Sequence, residues 1–187
     1  RRRALRFLER PVVMETHGGF GSIWRDCYAH LAQGVVFEKD PKKSGALAEQ
    51  RPTWAVYEAD CENAIRAGVG FHLPINYFDL DPYGSPWPVI EAIFSNRRAW
   101  PARVVLVAND GYRLAIKMDG GKAGIIAPYV DRYGSGRNLY NHYLEVCRAF
   151  IEEQSRPHGF TLTHWGGYYC GFTGQMSHYA AVLDLAT

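Results

Sequence analysis

"PVVMETHGGFGSIWRDCYAHLAQGVVFE" spans residues 11–38, and the order of residue types within it decides the fold. PVVME (11–15) is a short buried strand, THGGFG (16–21) is a glycine-rich turn, and SIWRDCYAHLA (22–32) carries a helical pattern with Ser22 placed to cap it. GVVFE (34–38) is a second apolar strand. A strand, a turn, a helix and a strand in that order form a crossover unit between parallel strands.

The same alternation continues down the chain. Asp40-Pro41 supplies an N-cap followed by proline at the first helical position, opening a helix to about Gln50. Arg51-Pro52 ends it. TWAVYEAD (53–60) is the third strand, 61–67 a short helical piece, and PINYFDL (74–80) the fourth strand. Pro86 and Pro88 suit the start of a helix to about Arg98, and ARVVLVAN (102–109) is the clearest strand of all. Residues 111–138, rich in Gly, Lys and Arg, read as an insertion without assigned elements. A helix over 139–155 leads to strands FTLTHW (160–165) and SHYAAVLDL (177–185), with no helix between them. The expected fold is therefore α/β: a doubly wound, seven-stranded, mostly parallel, Rossmann-like sheet whose last strand runs antiparallel. Residues 1–187 are expected to form one domain, with 1–10 as a basic N-terminal arm.

Composition narrows the function classes. The chain has 187 residues, 47% apolar and 21% charged, enough to bury a substantial core. Its apolar runs are too short for a transmembrane helix. No secretory signal pattern is visible, and the missing initiator Met points to a trimmed or processed start. Cys27, Cys61, Cys147 and Cys170 are widely spaced, which argues for reduced thiols, a cytoplasmic setting and no zinc site. The seven histidines show no ligand spacing, so no metal is expected. Net charge is +2, yet the segment from Arg97 to Arg148 holds nine Lys/Arg against four Asp/Glu. Such a segment is either a solvated face or the footprint of a polyanion, and a nucleic acid partner follows from the second reading.

Ligands of such sheets sit beyond the carboxyl ends of the strands. Four acids fall there: Glu15, Glu38, Asp60 and Asp81. Gly19 and Gly21, after Glu15 and His17, would let backbone approach a ligand that any Cβ would repel. The dinucleotide pattern G-x-G-x-x-G fails at Trp24. Glu38 can accept hydrogen bonds from both hydroxyls of a ribose, or simply cap the helix nearby. Asp60 can accept from an amino group, or cap residues 61–67.

Seven strands with an antiparallel last one resemble the layout of class I methyltransferases, which bind S-adenosylmethionine. Glu15-Thr16-His17-Gly18-Gly19-Phe20-Gly21 resembles their cofactor loop, with His17 where the family has its first glycine. The resemblance implies that Glu15, His17, Gly19, Gly21, Glu38, Asp60 and Cys61 bind the cofactor, Asp60 at the adenine amino group and Cys61 beside the ring. Asp81-Pro82-Tyr83 lies where amino-methyltransferases carry Asp/Asn-Pro-Pro-aromatic. An exocyclic amine on a base is a poor nucleophile because its lone pair is delocalised. A carboxylate and a proline carbonyl can accept its two N–H bonds and turn that lone pair toward a methyl sulfonium. The longer string DLDPYGSP (79–86 preceded by Phe78) resembles the signature of the tRNA guanine N2-dimethyltransferase family. It implies Asp81 as catalytic carboxylate, Pro82 as carbonyl acceptor and Tyr83 as stacking ring. The chain departs from that family in having no room for its additional C-terminal domain.

The loop 164–175 gathers Trp165, Tyr168, Tyr169 and Phe172 on the edge expected to hold Asp81. The reading is an N-methyltransferase for a nucleobase amine in RNA or DNA. The rivals are a methyltransferase for a small-molecule or protein amine, and a partner-binding protein of the same fold without turnover. A nicotinamide-dependent oxidoreductase is weakened by Trp24.

Overall fold

The computed structural model describes residues 1–96, 98–119 and 124–186. The strands are β1 (Val13–Glu15), β2 (Gly34–Glu38), β3 (Ala55–Glu58), β4 (Tyr77–Leu80), β5 (Arg103–Asp110), β6 (Phe160–Cys170) and β7 (Met176–Leu185). The helices are α1 (Arg2–Leu5), α2 (Ser22–Cys27), α3 (Pro41–Gln50), α4 (Cys61–Arg66) and α5 (Trp87–Ser95), then α6 (Tyr112–Asp119), α7 (Ala127–Tyr133), α8 (Arg137–Asn141) and α9 (Tyr143–Ser155).

The sheet order is β3-β2-β1-β4-β5-β7-β6. β1 to β5 pair parallel, and β7 runs antiparallel to both β5 and β6, as expected. The chain first builds outward from β1 through β2 to β3, then restarts at β4 on the other side. That switch opens a crevice at the carboxyl ends of β1 and β4.

Successive strand residues point to opposite faces, so they feed two separate apolar clusters. Met14, Val35, Phe37, Phe78 and Leu106 face one side, with Ile65, Trp87 and Phe150 from the helices over them. Trp87 stacks on Phe150 with ring centroids 4.1 Å apart. Val13, Val36, Tyr77 and Val105 face the other side, under Ala4, Leu5, Tyr28, Leu47 and Trp54. Burial on both faces is why these strands carry continuous apolar runs.

Several expected boundaries move. The helix expected over 22–32 ends at Cys27, because Tyr28 turns inward and is fully buried. Gly21, at φ +78°, occupies the cap position assigned to Ser22, which is instead the first helical residue. The helix over 139–155 is broken at His142 into α8 and α9. The unassigned segment 111–138 holds α6, α7 and the start of α8. The arm 1–10 is no free tail, since α1 buries Ala4 and Leu5. Trp165, Tyr168 and Tyr169 belong to β6, not to a loop; Phe172 alone of that aromatic set sits in the turn.

Candidate active site

The crevice at the switch is a cavity of about 380 Å³, within the range of roughly 300–1,000 Å³ usual for small-molecule sites. The turn after β1 gives it Thr16, His17 and Gly19. The end of β2 gives Phe37 and Glu38, followed by Lys39 and, from α3, Lys43. Ala59, Asp60 and Cys61 follow β3, and Asp81, Pro82 and Tyr83 follow β4. Eight of the ten residues singled out in the sequence thus share one wall. Glu15 and Gly21 do not.

Glu15 faces away and is buried against Arg51, whose Nη1 lies 2.5 Å from its carboxylate. Burial, only partly offset by Arg51, pushes the Glu15 carboxyl up to about 7. Gly21 is a turn residue; a Cβ there would meet Gln50 Oε1 at 2.7 Å. Both serve the loop's structure. Gly18, not selected beforehand, is also a packing glycine, since a Cβ would strike Leu47 and Val36 at 2.5 and 2.6 Å. Gly19 has φ +54° and open space where a side chain would be.

The carboxylate of Glu38 holds this turn from across β2. Its Oε2 accepts from Gly19 N–H at 2.8 Å and its Oε1 from Asp40 N–H at 2.9 Å. Asp60 caps α4, accepting from Asn63 N–H at 3.1 Å. Asp40, as expected, caps α3.

His17 is fixed at both ring nitrogens. Thr16 Oγ1 lies 2.8 Å from His17 Nδ1 and 3.2 Å from the Asp79 carbonyl oxygen. On the ring's other side Nε2 lies 3.6 Å from Cys61 Sγ. Burial lowers the His17 pKa, although Asp81, Glu38 and Asp60 pull the other way. Burial, with Asp60 beside it, pushes the Cys61 thiol up to about 12. The couple is neutral: a wall of the cavity rather than a nucleophile.

Asp81 is contacted by two residues distant in the chain. Asn109 Nδ2 donates to its Oδ1, and Arg1 Nη2 lies 3.4 Å from its Oδ2. Tyr83 is fully exposed on the rim. The next residue, Gly84 at φ +109°, accepts from Gly111 N–H at 2.8 Å and ties the rim to the start of α6.

Among the described residues, the cations of the basic segment are not all free at the surface. Arg98 lies flat against Trp100 and Phe71, its carbon 3.9 and 4.1 Å from the ring centroids, and burial lowers its pKa to about 10. Arg113 is buried between Tyr140 and Tyr169, 3.5 Å from each ring centroid. A planar, weakly hydrated guanidinium suits such stacking. Arg103, Arg132 and Arg148 pair with Asp184, Glu153 and Glu152. Lys117 and Arg137 stay exposed, while Arg97 and Lys122 lie outside the described residues. Among the described residues no three His, Cys, Asp or Glu could hold a metal ion, and no helix is long and apolar enough to cross a membrane.

No family model matches the chain. It is 21% identical over 138 residues to ribosomal RNA small subunit methyltransferase A of Chlorobium phaeobacteroides, covering 73% of this chain and 51% of that protein. The chain thus spans about half the length of the curated relative it matches. Among solved structures it resembles Trm1 from Pyrococcus horikoshii, solved with S-adenosyl-L-methionine, at TM-score 0.65 and 10% identity, over 98% of this chain and 53% of that one. It also resembles the N-methyltransferase NodS from Bradyrhizobium japonicum, solved with S-adenosyl-L-homocysteine, at TM-score 0.57 and 10% identity, over 100% and 83%. With the strand order above, these likenesses establish that the chain has the class I methyltransferase fold.

Proposed function

We propose that residues 1–187 form one S-adenosylmethionine-dependent methyltransferase domain that methylates an exocyclic amine of a nucleobase, in RNA or DNA, in the cytoplasm. The observation that carries the reading is convergence. Glu38, then Asp60 with Cys61, then Asp81-Pro82-Tyr83 leave three different strands and meet on one cavity.

The donor set fits the cofactor. Each Glu38 oxygen accepts one backbone N–H and keeps a lone pair for a ribose hydroxyl. Phe37, Ala59 and Cys61 offer apolar surface for a ring beside the Asp60 carboxylate. When bound, the cofactor supplies an electrophilic methyl group on a sulfonium. Asp81 and the Pro82 carbonyl would hold the amine's N–H bonds, and Tyr83 would cover the base. A base inside a duplex cannot reach this depth, so it must be unpaired or flipped.

Supplying labelled S-adenosylmethionine with RNA, DNA and metabolite pools tests the reading: label should appear in nucleic acid, at a base. A second reading, a small-molecule or protein amine as acceptor, is favoured by one observation. Of the cations counted toward a phosphate-binding face, Arg113 is buried and Arg98 half-buried, each stacked on aromatic rings. With a protein pool added, label confined to metabolites or protein would select it, and no transfer to any pool would reject both.

A further inference from the structure

Asp81 takes a hydrogen bond on one oxygen and faces a cation at the other, both from residues far from it in the chain. Arg1 Nε sits 3.0 and 2.7 Å from the two oxygens of Asp79, which is completely buried. Tyr28 Oη donates to the same carboxylate at 2.6 Å. Arg1 is fixed through its main chain too, its carbonyl accepting from Tyr77 Oη at 3.2 Å and from Leu5 N–H at 3.1 Å. With Nε so anchored, Nη2 is left beside Asp81 Oδ2 at 3.4 Å. On the other side Asn109, from the end of β5, donates to Asp81 Oδ1. The Asp81 side chain keeps 29% exposure, and it lines the cavity.

We propose that Arg1 and Asn109 are positioning residues that clamp the Asp81 carboxylate and leave its remaining lone pairs aimed at a substrate amine. The proposal rests on the amine-methylation reading above. A carboxylate on a short side chain has a broad terminal torsion. A hydrogen bond on Oδ1 and a guanidinium beside Oδ2 restrict that freedom before substrate arrives, so less reorganisation is needed during the reaction. The amine's lone pair forms the bond to the methyl carbon, the carbon–sulfur pair stays on the donor's sulfur, and the displaced N–H proton passes to Asp81. Buried Asp79 anchors the clamp and never meets substrate. His17 and His178 also lie within electrostatic reach of Asp81, and neither is hydrogen-bonded to it.

The test uses Asn109→Ala, Arg1→Gln and Arg1→Lys in the full chain. Single-turnover transfer of labelled methyl to the pool that the wild type labels should fall about 10- to 100-fold in Asn109→Ala, the value of a hydrogen bond to a charged group, and by a smaller factor in Arg1→Gln, which removes an ion-pair contact. Substrate KM and S-adenosylmethionine affinity should hold, and Arg1→Lys should recover part of the rate. A raised KM with unchanged rate, or wild-type rates throughout, would overturn the proposal. Independently of activity, NMR side-chain couplings of Asp81 should report one rotamer in the wild type and averaging in Asn109→Ala. Averaging in the wild type, or one rotamer in every variant, also overturns it. If the wild type transfers no methyl to any pool, the functional reading fails while the rotamer measurement still decides the clamp.

Discussion

The Arg51 guanidinium meets the Glu15 carboxylate at 2.5 Å with both side chains shut off from solvent. Arg51 also lies over the rings of Trp24 and Trp54, its carbon 5.0 and 5.4 Å from their centroids. This pair joins the end of β1 to the end of α3, directly behind the turn that carries His17 and Gly19. Removing one member strands the other in the interior.

Glu15→Ala should therefore cost stability, about 3–5 kcal/mol, as expected when a buried pair loses one partner. Arg51→Met alone should cost a similar amount. Combining Arg51→Met with Glu15→Gln should restore much of the loss, because no lone charge remains. Urea unfolding of the three variants measures this, and equal losses in single and double variants would contradict it.

Glu38→Ala removes the acceptor for Gly19 N–H and Asp40 N–H as well as the proposed ribose contact. S-adenosylmethionine affinity should weaken by roughly 1–3 kcal/mol, the cost of leaving such groups unpaired. Calorimetry on the folded variant decides it; unchanged affinity removes Glu38 from the cofactor site.

What the sequence made legible depended on distance along the chain. Strand positions were readable because both faces of β1, β2, β4 and β5 are buried, so each appears as an apolar run. Glu38, Asp60 and Asp81 were readable because each directly follows or ends such a run. The helix after β1 came out too long because nothing local marks Tyr28 as the residue that turns inward. It does so to reach Asp79, 51 residues away. Arg1 is 78 residues from Asp79, and Asn109 is 28 from Asp81. Neither carries a local signal. Glu15 shows the reverse error: an acid at a strand end looked like a ligand contact, yet Arg51, 36 residues on, draws it inward. Charge density alone did not reveal that Arg98 and Arg113 stack on aromatic rings, because that stacking is a tertiary event.

The surviving cations give a salt prediction. If the substrate is nucleic acid, Lys117→Ala and Arg137→Ala should each flatten the slope of log affinity against log salt by about 0.7–0.9. Arg98→Ala and Arg113→Ala should lower stability and leave the slope alone. Filter binding across a salt series, paired with thermal unfolding, separates the two groups.

Asp110 is completely buried at the end of β5, accepting from Tyr143 Oη at 2.9 Å, Tyr179 Oη at 3.2 Å and Tyr112 N–H at 2.9 Å. Burial, opposed by these bonds, pushes its carboxyl up to about 6. The folded state therefore holds a proton that the unfolded state, titrating near 3.8, has released. Between those values stability falls as pH rises, and above about 6 the cost of the buried charge is fully present. Glu15 and Asp79 slope the same way, so the informative quantity is a difference. Asp110→Asn should flatten the pH 4–6 part of the stability profile relative to the wild type. Parallel profiles would contradict this.

Asp81 and Tyr83 divide the proposed work between holding an amine and holding a ring. Tyr83 is fully exposed, so Tyr83→Ala should leave stability unchanged. Its ring can still stack on a base, worth about 1–3 kcal/mol. The variant should therefore raise KM with cofactor affinity intact, and Tyr83→Phe should behave like the wild type. Asp81→Asn keeps the shape but turns one acceptor oxygen into an amide donor facing the Asn109 amide or the substrate N–H. It should depress single-turnover rate far more than cofactor affinity. Rates and cofactor titrations on the three variants distinguish the roles. If Asp81→Asn turns over like the wild type while Tyr83→Ala abolishes cofactor binding, Asp81-Pro82-Tyr83 is a turn bordering the cofactor, and the amine must be held elsewhere.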